Sequence, residues 1–243
     1  MNLKKHLNNT IFKIVSQAAD ELDYETYVIG GYVRDVLLNS NEPKDIDFVC
    51  VGSGIELAQK VKSILDTESK VQVFKNFGTA MLKHNDLELE FVGARKESYR
   101  IDSRKPIVED GTLEDDQNRR DFSINALAIQ LNASHFGKLI DPFNGLKDLE
   151  NKIIRTPLEP NKTYSDDPLR MMRAIRFSSQ LNFTIEEKSL KAITENANRL
   201  NIISQERITD ELNKIILSKI PSKGFKLLFN TQLLHQFFPK MVE

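Results

Sequence analysis

Cysteine is almost absent from this chain: Cys50 stands alone among 243 residues, and there is no tryptophan. A lone thiol cannot pair within the chain, which excludes a disulfide scaffold and a Cys-rich zinc module. Long hydrophobic runs are missing too. No window approaches the roughly 18 consecutive apolar residues of a membrane span, and Met1 to Asp20 lacks the apolar core and cleavage site of a signal peptide. These absences point to a soluble, cytoplasmic protein with no membrane contact. An excess of charge of one sign is also lacking: 34 Lys and Arg stand against 35 Asp and Glu. Any nucleic-acid contact must therefore come from a local basic surface. There is no internal repeat and no low-complexity tract. His6, His84, His135 and His235 have no metal-ligand spacing.

At 40% hydrophobic and 28% charged residues the composition is that of a globular protein with a sizeable core. Residues 5 to 23 place Leu7, Ile11, Ile14, Val15, Ala18 and Leu22 at helical spacing, which predicts an opening amphipathic helix. Strand-like runs follow at Tyr27 to Ile29, Ile46 to Val51, Val71 to Phe74, Thr79 to Leu82 and Leu87 to Val92. The polar turn His84 to Asp86 joins the last two as a hairpin, and Ile55 to Leu65 reads as a helix. Arg95 to Glu109 is polar and aperiodic, so it reads as a long loop. Beyond Arg155 helical patterns take over, at Pro168 to Leu181, Glu186 to Leu200, Gln205 to Leu217 and Pro221 to Phe229. The fold class is α+β: a small mixed or antiparallel sheet with helices over residues 1–155, then an all-helical part over 156–243. Cys50 sits in an apolar strand and reads as packed. Thr112 reads as a helix cap to Asp115.

The chemistry begins where Gly30 and Gly31 separate a strand from an apolar-periodic helix. This junction suits either a phosphate on exposed backbone N–H groups or a tight turn. Asp45-Ile46-Asp47 then opens the next strand. Alternate strand residues share a face, so the two carboxylates lie about 7 Å apart on one side. They make either a solvated strand end or, with substrate phosphates, a site for Mg²⁺. Further on, at about 100° per residue, Asp167, Arg170, Arg173 and Arg176 sweep one half of a helix, while Met171, Met172 and Ile175 take the other. Phe177 falls within the charged half and reads as packing on a neighbouring helix. A carboxylate only accepts hydrogen bonds and a guanidinium only donates them. Asp167 and Arg170, one turn apart, thus complement the pairing edges of cytosine and adenine and oppose like groups on uracil and guanine.

Gly30-Gly31-x-Val33-Arg34-Asp35-x-Leu37-Leu38 followed by Pro43-Lys44-Asp45-x-Asp47 resembles the signature of the class II tRNA nucleotidyltransferase and bacterial poly(A) polymerase family, of the polymerase-β superfamily. The likeness continues in order. Arg119-Arg120-Asp121-Phe122-Ser123-Ile124-Asn125 resembles the family's ribose motif, and Asp141 to Leu149 its hinge. Asp166-Asp167-Pro168-Leu169-Arg170 through Phe177 resembles its base-reading helix, and Ser204-Gln205-Glu206-Arg207-Ile208 its last motif. Asp166 stands where the family has Glu, with the charge kept. The family continues into further helices that hold the tRNA, so these 243 residues are expected to be either a fragment of a longer enzyme or one with a reduced RNA grip.

The resemblance implies a nucleotidyltransferase head and a helical neck. It also implies addition of C, A or both to a tRNA 3′ end from CTP and ATP with Mg²⁺; poly(A), CC-only or A-only addition are variants of the same chemistry. Asp45 and Asp47 would be the catalytic metal ligands, with Glu90 a possible third carboxylate outside the assigned set. Gly30, Gly31 and Arg34 would hold the triphosphate. Arg119, Asp121 and Asn125 would contact sugar and phosphates, Asp167 and Arg170 the base, and Arg173 and Arg176 phosphates or a packed helix. No protein partner is implied. An Asp-x-Asp phosphohydrolase is the enzymatic rival, weakened because Glu42-Pro43-Lys44 precedes Asp45 in place of an apolar strand. A nucleotide- or RNA-binding module without chemistry is the other.

Overall fold

The structure, a computed structural model, describes residues 1–39, 44–65, 68–75, 78–100 and 103–242. Glu42 and Pro43 lie outside the described residues, as do the side chains of Arg100, Arg104 and Lys105. The chain folds into two compact units. One comprises Met1–Lys96, Val108–Asn118 and Asn125–Gly145; the other comprises Glu97–Ile107, Arg119–Ile124 and Leu146–Glu243.

In the first unit, helix α1 (Thr10–Leu22) begins later than its apolar pattern suggests. Asn9 is the reason: its side chain accepts the N–H of Ile11 at 3.0 Å and caps the helix there. Leu7 and Leu3 are still buried, but Lys4–His6 forms a separate 3-10 turn. Asn9→Ala is expected to lower the stability of the chain by ~1 kcal/mol, read as a shift in the urea midpoint at unchanged slope. After α1 come β1 (Thr26–Ile29), α2 (Gly31–Leu37), β2 (Asp45–Cys50), α3 (Gly54–Leu65), β3 (Gln72–Phe74), β4 (Thr79–His84) and β5 (Leu87–Gly93). The 95–109 stretch, expected as a loop, is instead a two-stranded sheet of β6 (Arg95–Arg100) and β7 (Ser103–Asp110). It lacks the alternation that marks a strand because its described side chains lay no apolar side on a core: Lys96, Ser98, Ile107, Val108 and Glu109 are exposed.

Helix α4 (Leu113–Asn118) carries the expected cap: the Asp115 N–H donates to Thr112 Oγ1 at 3.2 Å, and Thr112 N–H and O–H donate back to Asp115 Oδ2. Strands β8 (Ala128–Gln130) and β9 (Leu139–Ile140) complete a seven-stranded sheet of order β3-β4-β5-β2-β1-β8-β9. β4 and β5 form the expected hairpin, with Asn85 at positive φ in its turn. β2 and β5 run parallel, while the other neighbours in this sheet are antiparallel. The α+β expectation holds.

Register decides what each face of the sheet carries. Ile46, Phe48, Leu89, Phe91 and Leu82 share the face that α1 and α3 cover. There Phe48 stacks on Phe91 at 5.0 Å and meets Phe12 of α1 at 6.2 Å. Each such fully buried side chain contributes roughly 1.5–3 kcal/mol. Cys50 belongs to this interior; it is fully buried, and burial pushes its thiol up to about 12. The opposite face holds a smaller cluster of Tyr27, Ile29, Val49, Ala94 and Ala128. Asp45 and Asp47 lie on that second face, beyond the edge of its apolar cluster.

The second unit is built from α5 (Gly145–Asn151), α6 (Pro160–Asp166), α7 (Leu169–Leu181), α8 (Glu187–Glu195), α9 (Gln205–Ile216), α10 (Pro221–Asn230) and α11 (Leu233–Phe237). A two-residue parallel pair, β10 (Ile153–Ile154) with β11 (Thr184–Ile185), lies among them, too short to leave a sequence period. Helix α7 packs on α6, α9 and α10 and is buried over most of its circumference. A Cβ at Gly224 would overlap Ile215 and crowd Ser179, so this glycine is what lets α10 approach so closely. Ser179 Oγ donates to the Ile220 carbonyl at 2.6 Å and locks the same junction.

Candidate active site

At the carboxyl end of β1 the chain turns through Gly30 at φ 80°, a backbone state that disfavours any side chain, and enters α2. The Gly30 N–H donates to the Leu127 carbonyl at 3.2 Å, which ties the turn to the segment ahead of β8. Ile29 pairs antiparallel with Asp47, so the glycine turn lies at the sheet end where β2 begins with Asp45 and Asp47. Structure thus brings together two features that sequence could only associate.

Arg34 reaches out from α2. Its Nε and Nη2 donate to Asp35 Oδ1 and Oδ2 at 2.7 and 2.9 Å, and its Nη1 donates to Asn125 Oδ1 at 2.8 Å. This fork fixes the guanidinium plane in the manner of bidentate recognition. Asp35, not singled out from the sequence, is therefore the residue that orients Arg34. Asn125, grouped in the sequence with Arg119 and Asp121, is buried and serves Arg34 in the first unit.

Asp45 is exposed and Asp47 half-buried, in register with Glu88 and Glu90 of the neighbouring parallel strand. Side-by-side residues of parallel strands share a face, so these four carboxylates lie on one face of the sheet. Lys83 Nζ neutralises Glu88 at 2.5 Å. Glu90 lies in register beside Asp47. Among the described residues no three His, Cys, Asp or Glu side chains are gathered as a ready-made metal cage. Asp45 and Asp47 still fit a hard divalent cation that completes its shell with water and phosphate oxygens, the way Mg²⁺ is usually held. Two open clefts of the first unit, of about 540 and 640 Å³, lie elsewhere. One is lined by Phe12, Tyr32 and Ile46, the other by Gly52, Gly54 and Gly93.

In the second unit Arg119, Asp121, Arg170 and Arg173 form one network. Arg170 is buried and donates from Nη2 to the Arg119 carbonyl at 2.6 Å. Arg119 Nη1 lies 3.4 Å from Glu97 Oε1. Asp121 Oδ2 accepts Arg173 Nε at 2.7 Å and Nη2 at 2.6 Å, while Oδ1 accepts the Phe122 N–H at 2.9 Å. The Asp121 carboxylate raises the Arg173 pKa further above its ordinary value. Asp167 Oδ1 accepts the Leu169 N–H at 3.2 Å at the entry to α7, and burial raises the carboxyl of its neighbour Asp166.

Arg176 takes the packing alternative. Its Nε lies 2.7 Å from Glu211 Oε2 on α9, and its guanidinium sits 4.1 Å from the centre of the Phe177 ring. Phe177 is buried edge-on against Phe122 at 5.7 Å, so it packs, but on the non-helical segment just ahead of Ser123 where a neighbouring helix was expected. Helical spacing alone could not separate such buried arginines from a ligand-facing stripe, because their partners are far away in sequence. The burial of Asp116 and Asp148 is hidden from local spacing for the same reason.

The chain is similar to known proteins along most of its length. Residues 182–243 match the family described as probable RNA and SrmB- binding site of polymerase A. The CCA-adding enzyme of Geobacillus sp. (strain WCH70) is 39% identical over 221 residues, 90% of this chain and 52% of that one. The A-adding tRNA nucleotidyltransferase of Aquifex aeolicus is 44% identical over 172 residues, 71% of this chain and 20% of that one. Among solved structures, the Thermotoga maritima CCA-adding enzyme complexed with tRNA superposes with a TM-score of 0.85 at 31% identity, covering 99% of this chain and 56% of that one. The chain thus spans about half the length, or less, of these relatives. Residues 26–155, more than half of the chain, match the Poly A polymerase head domain, and the chain belongs to that family.

Proposed function

We propose that this chain carries the nucleotidyl-transfer chemistry of a tRNA nucleotidyltransferase, adding C and A without a template to the 3′ end of tRNA from CTP and ATP with Mg²⁺. In this reading residues 1–155 are the catalytic head, residues 156–243 the base-reading neck, and the protein works in the cytoplasm. The observation that carries it is the Asp45/Asp47 pair on one sheet face beside the Gly30-Gly31 turn, with Glu90 in register. Bound Mg²⁺ would supply positive charge to the triphosphate and make the RNA 3′-hydroxyl a better nucleophile. Asp45 and Asp47 would hold that ion. Arg34, its plane fixed by Asp35, directs positive charge at phosphate oxygens, and the Gly30 and Gly31 backbone leaves room for the triphosphate to approach.

Base choice rests on the entry to α7, where Asp167 precedes the helix and Arg170 lies in its first turn. Asp167 accepts from the exocyclic amino group of C or A, and Arg170, oriented by the Arg119 carbonyl, donates to the ring nitrogen. Opposed donors or acceptors with U and G cost about 1–3 kcal/mol each. Arg119 and Asp121 contact sugar and phosphate, and Arg173 holds Asp121. The A-adding relative favours A-only addition as the second reading.

The test is incubation with tRNA lacking its 3′ end and each labelled nucleoside triphosphate in turn, followed by product sizing. C and A are expected to be incorporated over U and G by roughly tenfold or more, given the mispairing cost. A product extended by A alone selects the second reading. Equal use of all four nucleotides would remove the Asp167/Arg170 assignment, and long A tails would replace tRNA repair by poly(A) synthesis.

A further inference from the structure

Helix α6 ends in the residues that lead into Asp167 and Arg170. The last turn of a helix leaves carbonyls with no partner inside the helix. Pro168 stops α6 from continuing, so Asp167 takes an extended backbone as its C-cap. Both residues assigned to the base hang on this turn: the Thr163 carbonyl accepts the Asp167 N–H at 3.4 Å and Arg170 Nη1 at 3.5 Å. These bonds are long and hold the turn weakly.

A shorter fastening comes from Arg199, which has no part in the nucleotide contacts described above. It lies in the 3-10 helix Ala197–Ile202 that follows α8. Its Nε and Nη2 donate to the Ser165 carbonyl at 3.2 and 2.8 Å. A carbonyl oxygen has two lone pairs, so this one fork fills a helix-end acceptor that α6 cannot fill itself. The other end of α6 is tied to the same segment, where Asn196 Nδ2 donates to Asn161 Oδ1 at 2.8 Å. Asn161 and Ser165 are one turn apart and share a face of α6. Burial raises the carboxyl of Asp166, the next residue, and Lys162, Arg170 and Arg199 pull it back in part. Arg199 thus bears on this junction through both a short hydrogen bond and charge.

We propose that Arg199 is a positioning residue for base selection: by holding the Ser165 carbonyl it keeps Asp167 and Arg170 at the spacing that complements C and A over U and G. The proposal rests on the reading of those two residues as the base contacts. Asp167 follows the held carbonyl by two residues, and a displacement of about one ångström there spoils the hydrogen bonds to a base edge. Specificity is thereby set in part by a side chain from beyond α8 that never touches the base.

The experiment measures equilibrium binding of CTP and UTP to the chain in Mg²⁺ buffer, with melting curves for each variant. The unsubstituted chain is expected to bind CTP about tenfold tighter than UTP. Arg199→Met keeps the length of the stem and removes the fork, and it is expected to bring that ratio to within about threefold. Asn196→Ala loosens the far end of α6; it should lower the melting temperature by a few degrees and keep the ratio near that of the parent. Should Arg199→Met fail to melt cooperatively, Arg199→Gln, which keeps a polar stem without the fork, decides in its place. A ratio unchanged in the Arg199 variant but lost in Asp167→Asn overturns the role of Arg199 and leaves the base reading standing. Loss of the ratio in Asn196→Ala as well overturns it too, because any loosening of α6 would then suffice. A ratio unchanged in Asp167→Asn, or absent in the unsubstituted chain, overturns the base reading and the proposal with it.

Discussion

Asp47→Ala is expected to cut nucleotide incorporation by about a thousandfold, the equivalent of ~4 kcal/mol of barrier, while the fold stays intact and the melting temperature changes by no more than a few degrees. The two outcomes separate because of where the side chain sits. Asp47 is half-buried at the start of β2, in register with Glu90 and two residues from Asp45, so three like charges share one patch. Removing one takes away a cation ligand when substrate is present but no apolar contact of the core. Asp45→Ala should behave alike, and its greater exposure makes a cost to the fold smaller still. A labelled-nucleotide assay run beside calorimetry checks both halves. Near-normal incorporation by either variant would return the pair to a solvated strand end.

The second large effect lies far from the carboxylates, on α9. Glu211→Ala is expected to destabilise the chain by about 3–5 kcal/mol, because it takes the carboxylate from a largely buried Arg176 guanidinium whose Nη1 keeps its hydrogen bond to the neutral Gln180 side chain at 3.2 Å. Glu211 has 4% of its side chain exposed and Arg176 12%, so water cannot replace the lost partner. The guanidinium lies against Phe177, which carries the contact on to Phe122. Replacing both partners, as in Arg176→Met with Glu211→Leu, should recover most of the loss, since apolar groups of similar volume match a buried pair. Urea titration of the single and double variants decides it. A single variant within about 1 kcal/mol of the parent would mean that the pair behaves as a surface ion pair and does not hold α7 to α9.

Much of the architecture was legible in order along the chain. The five strand runs from Tyr27 to Val92, the hairpin at Asn85 and three of the four helices from Pro168 onward each form an element within a few residues of its pattern, while Glu186 to Leu200 divides into an α-helix ending at Glu195 and a 3-10 helix over Ala197–Ile202. Their periods are set by a buried face, and a buried face is what sequence records. Where no face is buried the record is blank, which is why β6 and β7 read as a loop. Where a cap overrides the pattern the boundary moves, as Asn9 moves the start of α1. The candidate site was legible as residue types but not as partnerships. Asp35 as the clamp on Arg34, Asn125 as its second acceptor and Glu211 as the partner of Arg176 depend on contacts between elements. Nothing in local spacing encodes which of three arginines on α7 turns to Asp121 and which to α9.

Parallel pairing of β2 with β5 has a consequence for how the chain becomes competent. Asp47 and Glu90 are more than forty residues apart in sequence and become neighbours once that pairing has formed. Antiparallel β4 and β5 can zip from a tight turn in microseconds, whereas β2 must wait for α3 and the hairpin to be laid down between it and β5. The acidic patch is thus a late product of folding, and partly ordered chains offer a cation no equivalent site. Divalent ions should therefore act on the finished protein and leave the rate of its formation unchanged, so that magnesium slows unfolding without hastening refolding.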